Sequence, residues 1–115
     1  MTARFWLDQL PSTDPAFAPL HMAEQLADPA DWPLLAQAHR QACSDAAWGR
    51  DLEVMEARAE GLLSVAARLA ERDDDGSDAV HVHRAEVEAL GYALGLTAVR
   101  VAIRAHDQAG SAVAA

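Results

Sequence analysis

Residues 79–106 read AVHVHRAEVEALGYALGLTAVRVAIRAH, and from Ala89 to Ile103 the only charged side chain is Arg100. A helix that is apolar on most of its sides cannot face water along that length, so other helices must wrap it. The predicted fold class is therefore all-α. It is a small helical bundle with three principal helices plus short N-terminal helices, and its last two long helices form an antiparallel hairpin. Gly91 and Gly95, with Ala98 beyond them, give the central helix a face of small residues. Such a face lets another helix approach closely, within the chain or across a dimer.

Outward on the N-terminal side lies Asp73-Asp74-Asp75-Gly76-Ser77-Asp78, the strongest loop signal in the second half. It joins the central helix to the one before it, and Ser77 or Asp78 is placed to cap the new helix. From Arg50 to Arg72 the positions Leu52, Met55, Ala59, Leu62, Ala66 and Leu69 alternate spacings of three and four, a heptad seam. Leu63, Val65 and Ala70 are read as widening that seam toward a packed bundle. Glu53, Glu56, Glu60, Arg68 and Glu71 lie opposite as a solvated face, and Gly61 is read as costing about 1 kcal/mol of helix propensity in exchange for close approach.

Further upstream, Trp32 to Trp48 forms a third helix with Leu35, Ala38, Ala42 and Ala46 at helical spacing, and Gly49 is expected to break or bend the chain before the next. Asp31 is the expected N-cap of this helix. Pro19 to Ala27 reads as a short helix, and Thr2 to Leu10 as a short helix or extended arm ended by Pro11-Ser12-Thr13-Asp14-Pro15. Beyond Asp107 the run QAGSAVAA is expected to fray. The whole reads as one helical domain, 1–115, with an irregular or short-helix segment 1–31 and a frayed tail 108–115.

Hydrophobic residues make up 51% of the 115, but so many are alanine that the core must be thin and the helices close; an oligomeric interface is one source of the missing burial. The formal net charge of −9 argues against nucleic acid or an anionic membrane and for a basic partner. Lysine and asparagine are absent and Ile103 is the single isoleucine, a bias typical of a GC-rich bacterial genome. Cys43 is alone, so no internal disulfide forms, and with no signal-peptide pattern or long uncharged apolar run the expected home is the cytoplasm.

Motifs for chemistry are few. With Gly76 at the sixth position of a calcium loop, Glu71, Asp73 and Asp75 take ligand positions, but the twelfth is Val82, which cannot ligate. His81 and His83 are the candidate divalent-metal ligands, the alternative to a chain with no predicted cofactor. Two residues apart on a helix, they diverge by about 200°. The carboxylates of Glu53, Glu56 and Glu60 lie on successive turns, yet outside any expected pocket that would split their acidities for catalysis, so the chain is read as leaning away from an enzyme. Val87 to Val101 has the spacing of a helix-turn-helix, with Gly95 in the turn and Arg100 and Arg104 on the second helix. The acidic charge and the apolar Val99, Val101 and Ile103 weigh against it. The reading left is a non-catalytic acidic protein-interaction module, an adaptor, accessory subunit or toxin-neutralising partner. Its partner surface is expected at Glu53, Glu56 and Glu60 and at Trp6, Trp32 and Trp48, and it is also a candidate homodimer. Each Trp has an equally good alternative role, plugging an end of the core.

Overall fold

The computed structural model describes residues 3–114; Thr2 of the expected N-terminal arm and Ala115 of the tail lie outside them. The chain is all-α. Its helices are α1 (Ala18–Leu26), α2 (Trp32–Ala47), α3 (Leu52–Arg72) and α4 (Ala79–Ala114), with 3₁₀ turns at Phe5–Gln9, Pro15–Phe17 and Pro29–Asp31.

The same tripeptide, Asp-Pro-Ala, starts two of these turns. Proline fixes φ for the first helical position while the aspartate before it accepts a backbone hydrogen bond: Asp14 from Ala16 N–H and Asp28 from Ala30 N–H, both at 2.9 Å. Each turn runs directly into an α-helix. The expected cap at Asp31 is thus corrected. Its backbone is already helical (φ −90, ψ −13) and its side chain makes no cap bond, because Asp28 has capped the segment one turn earlier.

At the other end of α2, Gly49 takes φ +92, a conformation that costs glycine no Cβ clash. Gly49 N–H then donates to Ala46 O and Arg50 N–H to Asp45 O, each at 3.0 Å, the paired bonds of a Schellman stop. Asp51 restarts the chain as α3 by accepting from Glu53 N–H at 3.4 Å. Residues 32–72 are therefore two helices.

α4 is the axis. α3 returns along it in close antiparallel contact, and α2 packs on it more extensively still, while α2 and α3 scarcely touch each other. The direction of α2 follows from its contacts: Asp31 meets His83, Leu35 lies at Gly91 and His39 at Gly95, so α2 and α4 run parallel. A Cβ on Gly91 would sit 2.6 Å from Leu35 O, and one on Gly95 2.6 Å from His39 O. The two backbones are nearly in contact there. Nine of the eighteen buried apolar residues among those described are alanine, which is why close approach is the route to burial. Tyr92, Leu7, Leu35, Met55 and Val99 are the large side chains sealed inside.

In α3 only Leu52, Met55, Ala59, Leu62, Ala66 and Leu69 escape full exposure. Leu63, Val65 and Ala70 do not widen the seam; all three are exposed, since α4 alone covers α3 and α2 stands away from it. Gly61 likewise serves no close approach, for nothing lies within 4 Å of its Cβ position. The C-terminal run also departs from expectation. α4 continues through Ala114 instead of ending at Asp107, in keeping with the helix propensity of alanine. Among the described residues no helix is long and apolar enough to cross a membrane.

Candidate functional site

Polar groups concentrate where α2 ends and α3 begins. Asp45 is buried between Ala42 and Ala46 on the inward face of α2, where a lone carboxylate would be costly to desolvate. Four groups compensate it. Tyr92 of α4 donates its hydroxyl at 2.8 Å, Gln41 donates Nε2 at 2.9 Å, and the guanidinium groups of Arg58 and Arg50 stand 3.9 and 4.0 Å away. Arg58 also lies over the Tyr92 ring, 5.3 Å from its centroid. Burial first, then the Asp45 contact, pushes the Tyr92 phenol well above its ordinary range, so it remains a donor. One carboxylate thereby ties α2, α3, α4 and the Arg50 linker together.

Above this tie the aromatic surface is open. Trp48, on the last turn before Gly49, is 71% exposed, and its indole takes the edge-to-face position on Phe5, 51% exposed, with ring centroids 5.0 Å apart. Phe5 is held there because Arg4 N–H donates to Ala47 O at 2.8 Å and Leu7 is buried beneath. Val54, exposed on the first turn of α3, shares with Trp48, Ser44, Arg50 and Asp51 a shallow depression of about 490 Å³.

The other candidate residues are dispersed. Trp6 stacks on His106 at 4.1 Å, and Trp32, part exposed, donates Nε1–H to Glu24 O at 2.7 Å. Neither lines the Trp48 depression. Glu53, Glu56 and Glu60 are all exposed along α3, and Glu56 accepts from Arg100 of α4 at 2.9 Å. His81 and His83 turn to different carboxylates, His81 to Asp78 at 3.8 Å and His83 to Asp31 at 2.7 Å. The Asp31 hydrogen bond raises the pKa of His83. Among the described residues no three His, Cys, Asp or Glu side chains gather as a metal would require. In the acidic loop, Asp73 and Asp75 are occupied in accepting from Asp78 N–H at 2.9 Å and Ser77 N–H at 3.0 Å, around Gly76 at φ +75. Helix-turn-helix geometry is not formed, because α4 passes through Gly95 without a turn.

A second concavity, about 560 Å³, lies between the N-terminal segment and α2, walled by Leu7, Leu10, Phe17 and Leu20 and reaching His39 and Cys43. His39 is buried, edge-on to Phe17 at 5.0 Å, with Nδ1 4.0 Å from Cys43 Sγ and Nε2 without a hydrogen-bond partner. Burial, reinforced by His21, lowers its pKa to about 4; burial, reinforced by Asp8, pushes the Cys43 thiol up to about 11. At neutral pH this is an uncharged imidazole beside a protonated thiol, not the thiolate–imidazolium pair of nucleophilic catalysis.

Asp45, Tyr92, Arg58 and His39 were not singled out by motif. For His39 alone the signal is positional: with Cys43 it follows Leu35 at i+4 and i+8, in the second column of the buried stripe of α2. No protein-family model, curated protein or solved structure matches this chain.

Proposed function

We propose that the chain is a non-catalytic protein-interaction module of a bacterial cytoplasm, an adaptor, accessory subunit or toxin-neutralising partner, that docks through the Phe5–Trp48–Val54 corner. The observation that carries this reading is the 71% exposure of Trp48 on a backbone fixed by the Schellman stop. A rigid, solvent-facing indole beside a second exposed ring is the side-chain type that dominates binding energy when a partner covers it. The net charge of −9 and the exposed Glu53, Glu56 and Glu60 favour a basic partner and quicken its capture.

Affinity capture from the protein's own cell extract, followed by native mass spectrometry, tests the reading. Wild-type chain should retain a protein partner in a salt-sensitive complex. Trp48→Ala should weaken that complex by 2 kcal/mol or more, roughly 30-fold. Joint reversal of Glu53, Glu56 and Glu60 to Lys should slow association and reduce the salt dependence. Retention unchanged by both variants would overturn the proposal.

A further inference from the structure

α2, flanked by α1 and the Pro15–Phe17 turn, covers one side of α4 and α3 a second, and a third side is left largely exposed. Glu86, Leu90, Ala93, Thr97, Val101 and Arg104 are all exposed along it, with Leu94 half-buried between them. The series Leu90, Leu94, Thr97, Val101, Arg104 advances by four, three, four and three residues, the spacing of a helix seam; Leu94 rests partly on Leu20 and Leu35, and the other four are exposed. Leu90 is 48% and Val101 45% exposed, and at one end Leu26 of α1, 89% exposed, borders the same depression as Leu90. Glu86 and Arg104 stand at opposite ends of the stripe, and neither joins an ion pair among the described residues.

We propose that this stripe seats the same stripe of a second copy, antiparallel, about a two-fold axis between Leu94 and Thr97. The stripe is self-complementary only in that direction. Reversing one copy places Leu90 on Val101 of the partner subunit, Leu94 on Thr97 of the partner subunit, and Glu86 beside Arg104 of the partner subunit, and the two-fold repeats each contact. A parallel pairing would instead set Glu86 against Glu86 of the partner subunit and Arg104 against Arg104 of the partner subunit, like charge on like. From Glu86 to Arg104 the seam is about 27 Å long at the rise of an α-helix. The stripe shares no residue with the Trp48 depression, so this inference stands independently of the docking reading above.

Sedimentation velocity and light scattering across a concentration series should report a dimer for the wild-type chain. Leu90→Glu and Val101→Glu, at exposed positions, should each raise the dimer dissociation constant by about 30-fold or more while leaving the helical circular dichroism unchanged. Glu86→Arg and Arg104→Glu should each weaken the dimer, and the double exchange should restore it, because each contact is made in trans. A monomeric wild-type chain, a dimer indifferent to Leu90→Glu, or an exchanged double variant no stronger than its single parents would overturn the antiparallel dimer.

Discussion

His39 brings a titratable ring into the mostly apolar buried face of α2, with no hydrogen-bond partner for its Nε2, and its cost is set by pH. Burial holds the folded-state pKa at about 4 against 6.5 for the free side chain. Between those values the unfolded chain takes up a proton that the folded chain refuses. The contribution of a neutral His39 is thus fully present above pH 6.5, is lost as pH falls toward 4, and changes no further below that. The loss should be on the order of 2 kcal/mol by pH 5. His83 has the opposite sign: its raised pKa gives stability that is present at acid pH and lost as pH rises through the folded-state value. Urea unfolding at pH 7 and pH 5 separates the two residues. Wild type should lose more stability between them than His39→Leu does, while His83→Gln should lose at least as much as wild type.

Glycine at the helix level has two meanings in this chain. Gly91 and Gly95 let α2 and α4 touch backbone to backbone, whereas Gly61 on α3 has no neighbour within 4 Å. Adding one methyl should therefore act in opposite directions. Gly91→Ala drives a Cβ into Leu35 O and should destabilise by about 1–3 kcal/mol, while Gly61→Ala keeps the helix, removes unfolded-state freedom and should stabilise by about 0.5–1 kcal/mol. Thermal unfolding of the two variants checks the sign. Among the elements, the α3–α4 hairpin is readable from sequence because a three-four seam meets an aspartate loop and then an almost uncharged helix; local pattern alone requires it. The surroundings of Leu63 and Val65 are not readable in that way. Hydrophobicity marks them as coverable, but only tertiary structure tells that α2 packs on α4 and scarcely on α3. The Asp45 tie is hidden for a related reason: its partners Tyr92, Arg58 and Arg50 converge from three segments, and no local spacing connects them.

Over the whole molecule these choices give an elongated slab, 61 × 29 × 17 Å, with a radius of gyration of 15.8 Å where about 13 Å is typical of a compact chain this long. Burial is correspondingly uneven. α4 is gripped on two sides, but α3 buries only Met55 and Ala66 fully and meets the remainder of the fold through α4 and the Arg58–Asp45 contact. Opening α3 exposes little apolar area compared with separating α2 from α4, so α3 should form the less stable cooperative unit. Native-state hydrogen exchange should find the amides of residues 56–68 less protected than those of residues 89–99, with the gap closing as denaturant approaches the global midpoint. Equal protection in the two stretches at zero denaturant would mean that the Asp45 tie couples α3 to the core as strongly as the α2–α4 contact couples those two helices. A partner bound at Trp48 and Val54 spans the α2–α3 junction, and it should raise the protection of α3 selectively, because the bound state forbids the opening that the free chain permits.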